Sequence, residues 1–313
     1  MNCLVTGGAG FIGSNLVKAL LEQGHSVRVF DNFSTGKRDN LGPFLDRIDL
    51  VEGDIRSYHI VHEAARDIEV IFHQGALPSV PRSINDPITS NQVNVEGTLN
   101  ILNAARDTGV RRVTYASSSS IYGENPALPK YEDMTPQPIS PYAVSKLAGE
   151  KYCQVFARTY GLETVCMRYF NVFGCGQDPK SQYAAVVPRF ITAFLDGAQI
   201  TVHGDGEQSR DFTFIDNVVQ ANILAATAPK ASGEVFNIAC NARMSLNEML
   251  NHIRNFTEND TDITYGPARS GDVKHSQADI QKARDILGYN PRISAEMGLR
   301  LSVEWYRAVR KQQ

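Results

Sequence analysis

The sequence predicts an α/β protein with a Rossmann-type, doubly wound parallel sheet and a smaller C-terminal α/β domain. Short apolar runs alternate with helical patterns through the first two-thirds of the chain, and a glycine-rich turn separates the first run from the first helix. Past about Gly174 the pattern becomes irregular, with more proline, glycine and polar residues. We therefore expect one domain at residues 1–174 and a second, mainly substrate-binding domain at 175–313, with segments near 212–238 returning to the first.

Each strand is predicted from a short apolar run, and each helix from apolar residues at helical spacing. The expected strands are Cys3–Thr6, Ser26–Phe30, a run around Leu50, Glu69–His73, Arg112–Ala116 and Thr164–Tyr169. The expected helices include Gly13–Gln23 and Asn91–Thr108, and Gly109 suits the residue after the end of the second. Phe212–Ala226 and Val235–Ile238 are expected to rejoin the sheet. This alternation of strands and helices is typical of a parallel, doubly wound sheet.

The composition limits the classes of partner. The chain has 313 residues, 42% of them apolar, and a formal net charge of -3. That balance argues against nucleic-acid or membrane binding, which usually shows a basic excess. A strand-like run begins at the second residue, so we expect no signal peptide and a cytoplasmic protein. The five cysteines form no CxxC pattern and are expected as free thiols. The scattered histidines predict no metal site.

The turn Gly7–Gly13 predicts a dinucleotide site. It satisfies GxGxxG through Gly8, Gly10 and Gly13, and GxxGxxG through Gly7, Gly10 and Gly13. Glycine permits a tight turn and lets a pyrophosphate approach the N–H groups at the helix start, where the helix dipole favours anions. The position of the motif, after a strand and before a helix, makes the prediction specific.

Asp31 closes the second predicted strand, where a carboxylate bonds the hydroxyls of the adenosine ribose. A carboxylate repels a 2′-phosphate, so NAD is favoured over NADP. Lys37 and Arg38 follow nearby and would favour NADP if they faced the ribose, although a solvated loop is the simpler interpretation. Asp54 follows the third strand, where it either reaches the adenine or caps a helix.

The segment Ser140–Lys146 predicts the catalytic pair. Ser140 suits a helix N-cap and Pro141 the first helical position, which puts Tyr142 and Lys146 one turn apart on one face. A free phenol, with a pKa near 10, is a poor base at neutral pH. We expect the Lys146 ammonium, together with a nicotinamide cation, to lower the pKa of Tyr142 and make it a general acid and base.

Four serines, Ser117 to Ser120, end the fifth predicted strand. A hydroxyl at this edge of the sheet can bond a reacting sugar oxygen and share its proton with Tyr142. At least two of the four are expected to be ordinary polar residues at a strand end.

These motifs together resemble a known family. TGGAGFIGS (6–14), DNFSTG (31–36), SSSSIYG (117–123), YAVSK (142–146), RYFNVFG (168–174), GDGEQSRDF (204–212) and RSGDVKHSQAD (269–279) are similar to the extended short-chain dehydrogenase/reductase UDP-hexose 4-epimerases. HQGALPSVPRSINDP (73–87) and YAAVVPRF (183–190) look closest to the UDP-N-acetylglucosamine 4-epimerase branch. The resemblance covers nearly the whole chain.

The resemblance implies a transient oxidation of the sugar at C4 with NAD as cofactor and Tyr142, Lys146, Ser118 and Ser119 as catalytic candidates. The implied cofactor contacts are Gly7, Gly10, Phe11, Ile12, Gly13, Asp31, Asn32, Ser34, Thr35, Gly36, Asp54, Ile55, Gln74, Ala76, Asn94, Tyr142, Lys146 and Tyr169. The implied substrate contacts are Ser79, Ser118, Ser119, Tyr142, Asn171, Ala185, Val186, Val202, Arg210, Arg269, Asp272 and Ser276.

Two departures from related enzymes bear on the reaction. Related 4,6-dehydratases and sugar-acid decarboxylases carry an acidic residue in the strand-end motif, and Ser118, Ser119 and Ser120 supply none. Beside the sugar C2 substituent the family has a gate residue, which is bulky in enzymes restricted to plain hexoses. Ser276 matches that gate, and its small side chain predicts that N-acetylated sugars are accepted alongside UDP-glucose and UDP-galactose.

Other functions stay open on the sequence. A UDP-glucuronate 4-epimerase would place a polar or basic group at the sugar C6, for which Arg82 and Lys180 are candidates. A strict UDP-glucose 4-epimerase, an NAD(P)-dependent reductase or dehydratase, and a non-catalytic cofactor sensor are further alternatives. The resemblance also implies a homodimer, formed through a four-helix bundle of the helices near 91–108 and 142–160.

Overall fold

The computed structural model describes residues 1–179, 185–267 and 274–311. The strands in this part of the chain are β1 (Asn2–Thr6), β2 (Ser26–Asp31), β3 (Ile48–Glu52), β4 (Val70–His73), β5 (Arg112–Ser118), β6 (Glu163–Tyr169), β7 (Val172–Phe173), β8 (Ile200–His203), β9 (Ser209–Arg210), β10 (Thr213–Phe214), β11 (Glu234–Ile238), β12 (Met244–Ser245) and β13 (Ile263–Gly266). The helices are α1 (Phe11–Glu22), α2 (Tyr58–Ala64), α3 (Val80–Asn85), α4 (Pro87–Asn91), α5 (Gly97–Thr108), α6 (Pro141–Tyr160), α7 (Val186–Asp196), α8 (Ile215–Thr227), α9 (Leu246–Thr257), α10 (Gln281–Leu287) and α11 (Ala295–Arg310).

A seven-stranded sheet forms the centre, in the order β11-β6-β5-β4-β1-β2-β3. Every neighbouring pair in it is parallel. Both faces are covered, because Cys3 and Val5 of β1 pack into one apolar cluster while Leu4 packs into another. The predicted fold class, a doubly wound parallel sheet, is therefore confirmed.

The smaller region packs on one side of the cluster that contains Cys3 and Val5. There α7, α9 and α11 contribute the buried residues Ile191, Leu250 and Val303, and β8 and β13 form a two-stranded parallel sheet. β11 does not join this region but pairs with β6 in the central sheet. The chain therefore crosses back to the sheet after its first excursion into the smaller region.

Several predicted boundaries were wrong by a few residues, and one helix that was predicted to be continuous contains a π-helical turn. α1 begins at Phe11 rather than Gly13, because Gly10 takes the N-cap position. The predicted continuous helix 91–108 begins at Pro87, where Asp86 caps its first turn by accepting from the Thr89 N–H at 3.0 Å. It then passes through a π-helical turn at Gln92–Glu96 before α5. The turn brings Asn94 inward, where its side chain is buried.

Candidate active site

A cleft of about 1220 Å³ lies along the carboxyl edge of the sheet. Residues that follow β1, β2, β3, β4, β5 and β6 all line it, together with the start of α6 and with Arg210 and Ser276 from the smaller region. In parallel sheets this edge is where ligands bind, since the loops that follow successive strands meet there. The cleft therefore brings the glycine turn and the start of α6, which carries Tyr142, into one site.

The glycine turn is shaped by contacts that leave no room for side chains. A Cβ on Gly13 would lie 2.1 Å from the Gly7 carbonyl oxygen, and one on Gly7 would lie 2.7 Å from the Gly75 nitrogen. Gly7 also has a positive φ of 66°. No side chain caps the start of α1, so its first N–H groups lack acceptors within the helix and lie at the cleft. This turn fits a pyrophosphate group.

Asp31 lies at the end of β2, and its carboxylate fixes the loops around it. Oδ2 accepts from the Ala9 N–H at 2.9 Å and Oδ1 from the Phe33 N–H at 2.8 Å. Burial raises the pKa of Asp31, and these backbone hydrogen bonds oppose the shift. The side chain lines the cleft, where it fits a dinucleotide ribose.

The basic residues near Asp31 are paired rather than simply solvated. Lys37 lines the cleft, and its Nζ lies 2.6 Å from Asp178 Oδ2. The Arg38 guanidinium pairs with Glu52 and lies 4.1 Å from the Phe33 ring centroid. Both cations therefore already have acidic partners, which removes the argument for NADP that they raised.

Asp54 also lines the cleft and does not cap α2, whose N-cap is Ser57. Its Oδ2 accepts from Arg56 Nη2 at 2.6 Å and from Asn32 Nδ2 at 3.2 Å. The hydrogen bond from Arg56 lowers the pKa of Asp54. Of the two interpretations that the sequence left open, the helix cap is wrong.

The segment after β4 forms the floor of the cleft and is held from behind by Asn94. The Asn94 amide accepts from the Leu77 N–H at 2.8 Å and donates to the Leu77 carbonyl at 3.1 Å and to Ser145 Oγ at 3.0 Å. Asn94 itself does not line the cleft. Asn94, which was predicted as a cofactor contact, therefore lies behind the segment after β4 and holds the Leu77 backbone in place.

Tyr142 enters the cleft from the first turn of α6. Ser140 caps this helix by accepting from the Ala143 N–H, as predicted, and Ser83 Oγ accepts from the Tyr142 N–H at 3.0 Å. The Tyr142 hydroxyl lies near Ser118, and its interaction with the Ser118 hydroxyl lowers the pKa of Tyr142. Burial outweighs that interaction and raises the pKa of Tyr142.

The expectation that Lys146 and a nicotinamide cation together lower the Tyr142 pKa stays a prediction. Lys146 is buried, its Nζ donates to the Ala116 carbonyl at 2.8 Å, and it lies 5.1 Å from the Tyr115 ring centroid. Burial lowers the pKa of Lys146 to about 8. The Lys146 ammonium therefore bonds to β5 while the residue also lines the cleft.

The four serines separate into different roles. Ser117 is buried in the cleft wall, and its hydroxyl donates to Glu150 Oε1 at 2.5 Å. Ser120 donates from its N–H and its hydroxyl to Ser118 Oγ, at 3.2 and 2.9 Å. Ser118 is thus the serine that interacts with Tyr142 at the strand end, and Ser119 also lines the cleft.

The substrate side of the cleft is assembled from three distant segments. Asn171 has a positive φ of 34°, and its Nδ2 donates to the Asp211 carbonyl at 3.0 Å. Arg210 Nη1 donates to the carbonyls of Ser209 and Lys274, each at 3.0 Å. The Ser276 N–H donates to the Ser209 carbonyl at 3.0 Å. Arg210 and Ser276 therefore share one wall.

Most predicted site residues line the cleft. These are Gly7, Gly10, Phe11, Ile12, Gly13, Asp31, Asn32, Ser34, Thr35, Gly36, Asp54, Ile55, Gln74, Ala76, Ser79, Ser118, Ser119, Tyr142, Lys146, Tyr169, Asn171, Ala185, Arg210 and Ser276. Val202 does not, because it is 1% exposed in the apolar core of β8. Val186 begins α7 and packs against the same core. Arg269, Asp272 and Lys180 lie outside the described residues.

Sequence reasoning missed other residues of the cleft wall. Trp305 of α11, the only tryptophan of the chain, lines the cleft. Asp178 lies there too, although no motif marked it. Ser79 was predicted as a substrate contact, but its backbone strain was not foreseen: its φ is 100°, a conformation that non-glycine residues rarely adopt and that tends to occur at functional sites.

Within the described part of the chain, no helix combines the length and the apolar content needed to cross a membrane. The described residues also include no group of three or more His, Cys, Asp or Glu side chains that could hold a metal ion.

Comparison with known proteins identifies the family. The model of the NAD dependent epimerase/dehydratase family matches residues 3–239. A UDP-glucose 4-epimerase of Mycolicibacterium smegmatis is 39% identical over 98% of this chain and 99% of its own. A UDP-N-acetyl-alpha-D-glucosaminuronate decarboxylase of Bacillus cytotoxicus is 33% identical over 98% of both chains.

A solved structure gives the same result. The UDP-N-acetylglucosamine 4-epimerase from Methanobrevibacter ruminantium M1, in complex with UDP-N-acetylmuramic acid, superposes with a TM-score of 0.93. It is 39% identical and covers 98% of each chain. The chain therefore belongs to the NAD dependent epimerase/dehydratase family. The predicted resemblance and the predicted cofactor, NAD, are confirmed, and the glycine turn and Asp31 are shaped to hold it.

Proposed function

We propose that this protein is a UDP-sugar 4-epimerase that interconverts UDP-N-acetylglucosamine and UDP-N-acetylgalactosamine and also accepts UDP-glucose and UDP-galactose. The observation that carries the proposal is the placement of Tyr142 and Ser118 together in the same cleft as the glycine turn. Similarity to 4-epimerases over nearly the whole chain supports it.

The acid and base chemistry rests on the Tyr142 hydroxyl. NAD, when bound, supplies reversible acceptance of the hydride from C4 of the sugar. Tyr142 Oη takes the proton of the 4-hydroxyl, holds it, and returns it to the same oxygen. Ser118 Oγ orients that oxygen and shares the proton, since it lies beside Tyr142 in the cleft. A base that keeps and returns its proton suits an isomerase, which has no net redox change.

Among the described residues, no carboxylate that lines the cleft lies beside Ser118, which argues for epimerisation over elimination or decarboxylation. Among the described residues, the carboxylates that line the cleft are Asp31, Asp54 and Asp178. Their partners are the Ala9 and Phe33 N–H groups, Arg56, and Lys37, all in the cofactor half. An acid that protonates a leaving group on the sugar would have to lie beside Ser118. This favours the epimerase over the dehydratase and decarboxylase alternatives.

The substrate contacts follow from the other half of the cleft. Arg210 carries the charge that binds a diphosphate, and the Asn171 side chain lies beside the same wall. Ser276 leaves room at the position expected for the sugar C2 substituent, so an acetamido group fits there. Arg82 also lines the cleft, which keeps UDP-glucuronate as the second candidate substrate, because a guanidinium can pair with a carboxylate at C6.

A direct assay tests the proposal. The purified protein is incubated with UDP-N-acetylglucosamine and no added cofactor, and the anomeric proton signals are followed by NMR beside UDP-glucose and UDP-glucuronate samples. Growth of the UDP-N-acetylgalactosamine signal is expected. If only UDP-galactose forms, the interpretation of Ser276 is wrong. If only UDP-galacturonate forms, Arg82 sets the specificity. If no product forms even with NAD added, the reductase and sensor alternatives stand instead.

We also propose that the protein is a homodimer. An open apolar groove is lined by Pro87, Ile88, Ile139 and Val144, among others. Ile88, Ile139 and Val144 are all exposed, and Val155 extends the same stripe of α6. A second copy would bury these side chains by pairing α6 with its symmetry mate. Light scattering should give twice the chain mass, and Val155→Glu should reduce it to the monomer mass. A monomeric wild type would contradict this proposal.

A further inference from the structure

Glu150 is a charged residue at the centre of the protein that the proposed reaction does not use. Its side chain is 0% exposed and that of Arg168 is 3% exposed. Arg168 Nε donates to Oε1 and Nη2 to Oε2, both at 2.9 Å, and Ser117 Oγ donates to Oε1 at 2.5 Å. Removing two charges from water is costly, and replacing such a pair by apolar residues often stabilises a protein. A role in geometry would explain why the charges are there.

Three successive residues of β5 are joined to α6. The Tyr115 hydroxyl donates to the Lys146 carbonyl at 3.3 Å, and Lys146 Nζ donates to the Ala116 carbonyl at 2.8 Å. Ser117 then bonds to Glu150. Gly149 permits this close approach, because a Cβ there would lie 2.2 Å from the Tyr115 hydroxyl oxygen. The helix and the strand are therefore held at one separation along this stretch.

Beyond these bonds, both the strand and the helix continue into the proposed site. Ser118 follows Ser117, and Tyr142, Lys146 and Glu150 lie at i, i+4 and i+8, on one face of α6. The bond between Ser117 and Glu150 is thus the last tie between strand and helix before the pair that handles the proton. Any slip of the strand end relative to the helix would change the separation of Ser118 and Tyr142.

We propose that Ser117, Glu150 and Arg168 form a positioning unit that holds the Ser118 hydroxyl beside Tyr142 in the cleft. The expected effect on kcat rests on the proposed 4-epimerase function, whereas the expected effect on the Tyr142 pKa does not. Glu150 does not line the cleft, and the hydroxyl of Ser117, which does line it, is bonded to Glu150, so both are positioning residues. They act through Ser118 and Tyr142.

Arg168 extends the unit to the far side of the serine turn. Its Nη1 donates to the Tyr122 hydroxyl at 2.8 Å and to the Glu132 carbonyl at 3.0 Å. The Tyr122 hydroxyl in turn donates to Asn237 Oδ1 at 2.7 Å. Tyr122 ends the 3-10 turn Ser119–Tyr122 that follows Ser118. One buried ion pair therefore holds the strand end before Ser118 and the turn after it.

The test compares two buried hydroxyls of the same strand. Ser117→Ala removes the bond to Glu150, whereas Thr114→Val removes a hydroxyl that has no hydrogen-bond partner in the structure. Ser117→Ala should lower kcat about tenfold with KM unchanged, because small displacements of reacting groups are costly to the rate. Thr114→Val should stay within twofold of the wild type. Ser117→Thr keeps the hydroxyl and should restore most of kcat.

A second measurement does not depend on turnover. The Tyr142 resonance in protein labelled with ¹³C at tyrosine Cζ is assigned by its loss in Tyr142→Phe and is then titrated. Because the Ser118 hydrogen bond favours the phenolate, weakening it in Ser117→Ala should raise the Tyr142 pKa by about half a unit or more. Thr114→Val should leave the Tyr142 titration unchanged. Circular dichroism of each variant at the assay temperature verifies that it is folded.

The outcomes separate this proposal from the proposed function. Equal kcat and an equal Tyr142 titration in Ser117→Ala and the wild type would overturn the positioning unit. Equal losses in Ser117→Ala and Thr114→Val would also overturn it, since they would indicate general core damage. If the wild type turns over no UDP-sugar, the proposed 4-epimerase function fails, and the Tyr142 titration alone then decides the positioning unit.

Discussion

The two walls of the cleft are built in different ways. The cofactor wall is made from residues close together in the sequence, because Gly7–Gly13 follows β1 directly and Asp31 ends β2. The substrate wall is made from Asn171, Arg210 and Ser276, which come from three separate segments. A local motif can therefore specify the first wall, whereas the second exists only in the folded chain.

The substrate wall depends on one buried carboxylate, Asp211. Its Oδ1 accepts from the Cys240 N–H at 2.8 Å and its Oδ2 from the Ala278 N–H at 3.2 Å, while its carbonyl accepts from Asn171. Arg210 precedes it in the chain, and Ser276 lies two residues before Ala278. The corresponding carboxylate of the cofactor wall is Asp31. It accepts from the N–H groups of Ala9, within the glycine turn, and of Phe33, two residues after the end of β2.

The largest effect is expected where both walls meet. Tyr142→Phe removes the proton carrier and should lower kcat about a thousandfold, within the range for loss of a general acid and base. The amount of NAD that copurifies should stay the same, since the hydroxyl is not part of the glycine turn. Tyr160→Phe, at an exposed position of the same helix, is the control. Near-normal turnover by Tyr142→Phe would show that Tyr142 is not the base.

The cofactor wall should be sensitive to a single methyl group. In Gly13→Ala the new Cβ would meet the Gly7 carbonyl oxygen at 2.1 Å, so the turn must open. We expect the purified variant to have lost its NAD and about a hundredfold of its activity without added cofactor. Gly42→Ala is the matched control, because a Cβ there meets nothing within 4 Å. Equal NAD content in the two variants would contradict the assignment of the turn.

The substrate wall should respond with a change in specificity. Ser276→Tyr fills the space proposed for the acetamido group and should lower kcat/KM for UDP-N-acetylglucosamine by about tenfold to a hundredfold, as steric exclusion from a pocket does. Turnover of UDP-glucose should change much less, and bound NAD not at all. Parallel losses for both sugars would mean that Ser276 does not face C2.

Asp211 should give the substrate wall a pH-dependent stability. Burial raises the pKa of Asp211 from 3.8 to about 6. Between those values the folded protein binds more protons than the unfolded chain, so this group lowers the free energy of unfolding as pH rises through that range. Asn carries no charge, so Asp211→Asn should gain up to about 3 kcal/mol relative to the wild type between pH 4 and pH 7. Denaturant unfolding at both pH values measures this gain, and a constant difference would refute it.

The smallest effect is expected at an exposed ion pair of the cleft, Lys37 with Asp178. Lys37 and Asp178 have side chains 54% and 30% exposed, so water and salt screen their attraction. Asp178→Asn should speed the release of NAD at most about fivefold, and less at high salt. Trp305 lines the same cleft and can report release through its fluorescence. A much larger effect would show that the pair closes the cleft over the cofactor.

Much of the cofactor wall and of the catalytic helix could be predicted because the signals are local. The N-cap Ser140, the strand ends at Thr6 and Asp31, and the spacing of Tyr142 and Lys146 are each defined within a few residues. The sequence was less informative where a side chain's partner comes from elsewhere. It did not indicate that the Lys146 ammonium bonds to the Ala116 carbonyl. Val202 was expected in the site, yet β8 carries it into the core.

The sequence by itself determined the order of strands and helices, the glycine turn and the types of reactive side chain, because periodicity, capping and steric freedom act between near neighbours. Tertiary structure alone decided which serine faces Tyr142, where the charges of Lys37 and Lys146 are directed, and how Arg210 and Ser276 come to share a wall. These depend on strand pairing, burial and buried carboxylates such as Glu150 and Asp211, which join residues far apart in the chain.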